Sequence, residues 1–425
     1  MIIVVFLASL LAAMALGMPI AFALLVSAGA MMLQLGLFDS QIIAQNLIGG
    51  VDSFPLMAVP FFMLAGEVMN RGGLSRRVID LALSIVGHLR GGLGYVVIIS
   101  ATLLSAISGS AIADAAALAA LLVPAMVAAG HQPARSAGLV ASSSIIAPVI
   151  PPSIGLVLFG VTANVSITGL FLGGIIPGIV MAMGLTATWF YLASKEKVDL
   201  PSRAAAGVVL TNVRRAGWAL LMPVIIVFGL KLGVFTPTEA AVVAAVYAIF
   251  VSVVVYKELS LAALYEVFVA AAKSTAMVMF LVGAAVVTSW LIVIADLPVM
   301  LSELLAPLVG SPQFLMFVIV AIVLLVGTAM DMTPTILILT PVLMPVVREA
   351  GIDPIYFGII FIIANSIGLI TPPVGTVLNA VTGVTRIKME DVIRGANPFL
   401  VAHTAVLVLL LLVPQIVTLP LSWMR

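Results

Sequence analysis

Two proline pairs, Pro151-Pro152 and Pro372-Pro373, each interrupt a hydrophobic stretch long enough to span a membrane. Proline lacks a backbone donor and its ring clashes with the preceding turn, so neither stretch can run as one continuous helix. Non-helical backbone at membrane depth is tolerated only where it is buried in protein or lines a cavity. Interrupted apolar segments at corresponding places in two halves of a chain point to the binding site of a transporter.

The correspondence extends past the prolines. With the chain shifted by 221 residues and no gap, Pro124 falls on Pro345, Ala129-Gly130 on Ala350-Gly351 and Pro133 on Pro354. Ile146 falls on Ile367, Gly174 on Gly395 and Pro177 on Pro398. The punctuation repeats while most other side chains differ. Two copies this long read as a duplicated membrane bundle, not as a solenoid of short units.

Charged residues make up 8% and apolar ones 63% of the chain, far from the roughly 25% and 45–50% of soluble domains. The expected class is an all-α integral membrane protein. With no cysteine there is no disulfide framework and no thiolate metal or redox site. A net charge of +1 gives no reason to expect a nucleic-acid partner. The opening MIIVVFLASLLAAMALG has no basic stretch before its apolar run, and reads as a first span, not a cleaved signal.

Spans of about 20 apolar residues are expected near 1–17, 18–36, 42–70, 134–163 and 168–193 in the first half. In the second they fall near 216–234, 236–256, 273–295, 354–385 and 391–422. Segments 93–129 and 313–349 are split by polar residues into arms that read as too short to cross, hence as re-entrant hairpins. The first repeat then covers 1–193, a cytoplasmic linker 194–215, and the second repeat 216–425. With the N-terminus outside, 15 of the 18 Lys and Arg residues lie inside, Arg71, Arg76, Arg77, Lys197, Arg214 and Arg215 among them. Only Lys231, Arg348 and Arg425 lie outside, as the positive-inside rule favours. Five spans per half is an odd number, which inverts the second repeat relative to the first. Both termini are then periplasmic. Segment 74–90 has basic flanks and helical spacing, and reads either as an interfacial helix or as a solvated one between spans; its acidic counterpart is 296–310.

Four polar clusters fall inside the apolar regions. The first hairpin tip is Ser108-Gly109-Ser110 with Asp114 beyond it, and the first broken helix carries Ser142-Ser143-Ser144 and then Pro148 to Ser153. The second tip is Asp331-Met332-Thr333, and the second broken helix carries Asn365-Ser366, then Thr371-Pro372-Pro373, Thr376 and Asn379. An unwound helix frees carbonyls, which with hydroxyls make an oxygen environment suited to sodium, and half-helix N-termini offer N–H groups to an anion. One tip and one break per repeat would give two related cation sites flanking an anionic substrate. The serine run serves equally well as close helix packing. Asp331 is the stronger functional carboxylate, with tip orientation as its alternative; Asp114 has helix N-terminal stabilisation as its rival. Glu67 and Glu239 lie near span ends and read as structural, and His88, His131 and His403 have no metal-ligand spacing. No phosphate-binding lysine motif is present, so this chain does not hydrolyse ATP.

At these residues the chain resembles a known family. The stretches SGSAIADAAALAALLVPAM (108–126), APVIPPSI (147–154), MDMTPTILILTPVLMPVV (330–347) and IGLITPPVGTVLNAV (367–381) are similar to the large membrane subunit of tripartite ATP-independent periplasmic (TRAP) transporters, as is 52–77. The resemblance covers essentially the whole chain. It implies an ion-transporter-like elevator fold and sodium-driven import of an organic acid, with at least two sodium ions, in the bacterial inner membrane. The implied partners are a periplasmic substrate-binding protein, a small four-span membrane subunit and membrane lipid. Carried over by position, Ser108, Gly109, Ser110 and Pro148 would frame one sodium, and Met330, Thr333, Thr371, Pro372 and Thr376 the other. The substrate would lie between the tips, near Ser110, Ser153, Asp331, Thr333 and Asn379. Neither tip carries a basic residue to pair with a carboxylate, which fits tight recognition by a separate binding protein.

The nearest alternative is a stand-alone sodium–carboxylate symporter without a binding protein. An intramembrane hydrolase using Ser108 or Ser110 lacks a base, since no histidine lies in the expected core. A channel fits poorly, because two opposed hairpins suit alternating access better than a continuous pore.

Overall fold

A computed structural model describes residues 2–196, 203–297, 299–300 and 310–424. Lys197, Arg425 and most of the acidic segment 296–310 thus lie outside the described residues. The described chain is all helical, and eight of its helices are long and apolar enough to cross a membrane, or nine if one bent pair counts as a span. It is a multi-pass membrane protein.

The helix bounds of the two halves keep the sequence spacing. Ala111–Ala128 matches Met332–Glu349, Pro133–Ser144 matches the start of Pro354–Gly368, and Ile154–Ala163 matches Thr376–Thr385. Three expectations need correction. First, 42–70 is not one straight span: Ser40–Val51 and the run Phe54–Arg71 meet at 62°. Pro55 cannot donate to the turn before it, and the chain makes a single 3-10 turn over Phe54–Met57. At the matching position of the second half stands Ala276, and there the helix Leu261–Ile294 runs unbroken for 34 residues. That helix starts well before the expected 273. Second, the span expected over 391–422 is two helices, Met389–Leu412 and Gln415–Met424, parted at Pro414. Third, length does not make the hairpins re-entrant. Ala111–Ala128, Pro312–Ala329 and Met332–Glu349 are apolar helices of 18 residues each, long enough to cross. The two N-terminal spans and the two broken helices are instead built from shorter pieces.

Contacts sort the helices into two groups, each drawing on both halves. Residues 2–71 pack with 206–294, and residues 92–193 pack with 312–424. In the first group, Gly50 abuts Val286 and Gly283 abuts Leu47, so small residues let helix Ser40–Val51 lie close on helix Leu261–Ile294. In the second, Phe159, Phe357 and Phe361 interlock at ring distances of 5.5–5.9 Å, joining the two broken helices through their apolar faces. The segment 74–90 forms a helix only over Leu74–Val86, burying Leu74, Val78, Ile79 and Ala82 and exposing Arg76 and Asp80. The stretch read as a linker is tied down at its start. Glu196 accepts from His131 at 2.6 Å and from Arg135 at 2.5 Å, while Arg90 caps the Ser194 carbonyl. Helix Ala206–Lys231 takes up its last residues.

Candidate functional site

The first tip turns at Gly109, whose φ of +62° favours glycine. A Cβ there would meet the Pro152 carbonyl at 2.6 Å, so the tip rests directly on the first broken helix. Ser110 caps the next helix by accepting from the Ala113 N–H. Ser108 donates to Asp114 Oδ1 at 2.5 Å and accepts from the Ser110 N–H. Asp114 is 2% exposed and its Oδ2 has no partner among the described residues. It braces the tip from behind, away from any opening.

In the first break every residue from Ala141 to Ser153 is buried. Ser153 donates to the Pro148 carbonyl at 2.6 Å and accepts from the Leu156 N–H, so one hydroxyl closes the loop and caps the next helix. Ser144 donates back to Val140, whereas the hydroxyls of Ser142 and Ser143 are buried without a partner among the described residues.

The second tip is extended at Met330 and Asp331, and Asp331 occupies the N-cap position of Met332–Glu349. Its backbone carbonyl accepts from the Thr335 hydroxyl at 2.9 Å, and its carboxylate faces the Thr376 hydroxyl at 3.5 Å. Asn365 donates to the Met332 carbonyl. The Thr328 carbonyl accepts from the N–H groups of Val374 and Gly375, which pins this tip to the second break. Gly327 and Gly368 touch backbone to backbone at the same junction. Thr371 donates to Ile367, and the exposed Asn379 donates to Val374.

Both proline pairs are joined by cis peptide bonds. The carbonyls of Val149, Ile150, Pro151 and Pro152 accept no hydrogen bond among the described residues, and neither do those of Ile370, Thr371, Pro372 and Pro373. These are the same four positions in the two halves. Each break therefore presents a run of open oxygens, the chemistry that a hard cation takes.

Between the tips lies a cavity of about 160 Å³. It is lined by Ser110 to Ile112, by Ile154 and Gly155, and by Asp331 to Thr333. These are the first turns of three helices, whose N–H groups and positive dipole ends converge on one space. Such ends attract an anion without any basic side chain, and among the described residues no Lys, Arg or His lines the cavity. Of the residues singled out in the sequence, Gly109, Ser110, Pro148, Asp331, Met332 and Thr333 meet here. Ser108, Ser153, Met330, Thr371, Pro372, Thr376 and Asn379 stand behind this surface or at the breaks, outside the lining.

The sequence reading missed Met63 and Val278, which close the cavity from the other helix group, and Gly155. Met332 lies against Gly155, where a Cβ would strike its sulfur. Met63 and Val278 carry no local signal. The nearest hint is the position of Met63, just past the bend at Pro55, in a stretch already noted for its family resemblance. Among the described residues no three acidic or histidine side chains gather as a metal site.

Known proteins resemble this chain in sequence and in fold. The family model described as "Tripartite ATP-independent periplasmic transporter, DctM component" matches residues 7–416. The 2,3-diketo-L-gulonate TRAP transporter large permease protein YiaN of Escherichia coli (strain K12) is 52% identical over 425 residues, covering 100% of both chains. The sialic acid TRAP transporter large permease protein SiaM of Vibrio cholerae is 38% identical over 94% of this chain and 93% of its own length. Among solved structures, the Alcanivorax borkumensis YdaH transporter superposes with a TM-score of 0.66 over 88% of this chain and 89% of that one, at 18% identity. At that identity the likeness speaks for the fold alone.

Proposed function

The chain belongs to the DctM family of tripartite ATP-independent periplasmic transporters, and from that premise we propose that it imports a small organic acid coupled to sodium. It is the large permease of a secondary transporter of carboxylates and not an enzyme. The observation that carries the finer reading is the convergence of three helix N-termini and the Asp331 carboxylate on one cavity. The helix ends favour an anion. An ionised Asp331 in the same space opposes it, unless a cation is held between them. Coupling to sodium resolves that conflict, and the open carbonyls of the two breaks are where the cations would sit. Ser108, Gly109, Ser110 and Pro148 frame the first site in this reading; Met330, Thr333, Thr371, Pro372 and Thr376 frame the second. Substrate lies at Ser110, Asp331 and Thr333. Ser153 and Asn379 contribute by shaping the breaks.

The two repeats are inverted in the bacterial inner membrane, with both termini periplasmic. The group 92–193 with 312–424 moves as an elevator against the group 2–71 with 206–294. A periplasmic binding protein delivers the substrate, and a small four-span subunit completes the complex. The relatives handle 2,3-diketo-L-gulonate and sialic acid, both carboxylates, and a site without basic side chains suits that class when selectivity resides in the binding protein. In proteoliposomes holding the complex, uptake should rise sigmoidally with external sodium, and potassium should not replace it. Because linkage is reciprocal, substrate should also raise the affinity for sodium. Full uptake driven by a proton gradient with sodium absent would overturn the coupling while leaving the family assignment intact.

A further inference from the structure

Far from the tips, a basic groove opens where helix Leu74–Val86 packs on helix Ala206–Lys231. Two adjoining cavities, of about 230 and 630 Å³, share Arg77 and Arg215. Four arginines line them, Arg76, Arg77, Arg214 and Arg215, against the two carboxylates Asp80 and Glu258. Glu258 is already engaged, accepting from Arg77 at 2.6 Å. Arg77 also stacks over the Tyr256 ring at 3.6 Å and donates to the Gly73 carbonyl. Arg76, Arg214 and Arg215 have no acceptor for their guanidinium groups among the described residues, and all three are exposed.

The frame around these free cations is fixed. Tyr256 donates to the Arg215 carbonyl at 2.5 Å, and Tyr247 donates to the Trp218 carbonyl at 2.7 Å. Asn212 reaches the Asp80 carbonyl at 3.2 Å, linking the two helices across the groove. One turn beyond Arg214 the helix becomes apolar, and Trp218, Leu221, Val224 and Phe228 are exposed along it. Cationic groups give way to an aromatic residue and then to a bare apolar flank. That order is the one found where a helix passes from the water interface into hydrocarbon.

We infer that this groove binds the phosphate of an anionic phospholipid from the cytoplasmic leaflet. The three unpaired guanidinium groups would take the phosphate oxygens in the forked geometry that arginine offers. The acyl chains would lie along Leu221, Val224 and Phe228. A zwitterionic lipid brings a cationic ammonium to the same place and loses the advantage. Soluble phosphate shares the head-group chemistry but leaves the apolar flank uncovered.

The test uses the assembled transporter in mixed micelles, with phosphatidylglycerol, phosphatidylcholine and inorganic phosphate as probes and native mass spectrometry as the readout. The complex should retain phosphatidylglycerol in preference to phosphatidylcholine, and rising salt should weaken only that preference. The double variant Arg214→Gln/Arg215→Gln should weaken phosphatidylglycerol binding by about tenfold or more, given what each juxtamembrane cation contributes. Lys231→Gln, which removes a charge at the other end of the same helix, should not. If the double variant does not fold, the salt dependence of lipid preference in the native protein decides. Equal retention of the two lipids would overturn the inference. So would displacement of phosphatidylglycerol by millimolar phosphate, which would assign the site to a soluble anion. Phosphatidylglycerol binding that is seen with the large subunit alone but lost in the assembled complex would assign the groove to a protein contact instead.

Discussion

The two broken helices carry the same proline pair and the same four open carbonyls, yet one is sealed and the other is not. Ala141 to Ser153 is buried throughout, whereas Pro372, Pro373 and Val374 are exposed. The difference lies in what crosses each break. In the first half, helix Ile167–Ala193 lays Gly174 on the Val149 carbonyl and Gly178 on the Ile150 side chain. The matching glycine of the second half, Gly395, sits instead on the Ala134 carbonyl, and Gly138 presses back on Gly395. Both long helices thus cover the first broken helix, and the second break is left open. His403 reinforces this bias by hydrogen bonding to the Ser142 carbonyl at 2.9 Å. Identical backbone chemistry has been placed in two environments, one enclosed by packed helices and one exposed.

The largest contrast expected is in chemical access. The native chain has no cysteine, so single introduced thiols report cleanly, and thiol reactivity follows exposure. Val374→Cys should react with a maleimide to completion while Val149→Cys stays unlabelled in the folded protein. Comparable labelling of the two would mean that the breaks exchange environments, and the comparison would then describe one state of a cycle.

The two carboxylates should separate next. Asp331 faces the cavity and Asp114 braces the first tip from behind. Losing a charged hydrogen-bonding group costs about 1.5–3 kcal/mol, so Asp331→Asn should lower uptake by about tenfold to a hundredfold at nearly normal folded yield. Thr333→Ala should act in the same direction, more weakly. For Asp114→Ala the loss should fall on thermal stability, by about 1–3 kcal/mol, because Ser108 is left buried without its acceptor. A fall in yield for Asp331→Asn as steep as its fall in uptake would make the second tip a packing element and nothing more.

The smallest effects test the hydroxyls. Ser153 bonds on both sides within a buried loop, and its replacement by alanine should remove about 1 kcal/mol of stability, as the loss of a helix cap does. Thr376, half-buried at the open break and 3.5 Å from Asp331, should cost within about 0.5 kcal/mol while shifting the sodium dependence of uptake. Reversal of that order in thermal unfolding would contradict the assignment of the first break as the enclosed one.

Much of the candidate site's local geometry is legible in the chain because its parts are local. Proline removes donors wherever it stands, so Pro148, Pro151, Pro152, Pro372 and Pro373 announce open carbonyls without any knowledge of their neighbours. Glycine and serine at 108–110 announce a turn followed by a cap, and the structure has Gly109 left-handed and Ser110 at the N-cap. The bend at Asp52–Pro55 was open to the same reasoning. The apolar run on either side of Pro55 reads as one long span, and a single proline is a weaker break signal than a pair.

Other features had no local sign. Glu196 draws His131 and Arg135 into a half-buried cluster across more than sixty positions of chain, and charge alone marks it only as part of a linker. Met63 and Val278 join the cavity because the two helix groups meet there, and any apolar residue in their places would read alike. The sequence determined the class of structure, the places where helices break and the oxygens those breaks release, since each follows from backbone chemistry within a few residues. Only the tertiary structure decided which break is covered, which carboxylate faces the cavity and that three helix ends point into one space. These depend on where glycines such as Gly174 and Gly395 allow helices to cross, and crossing is settled by contacts between segments that the chain holds far apart.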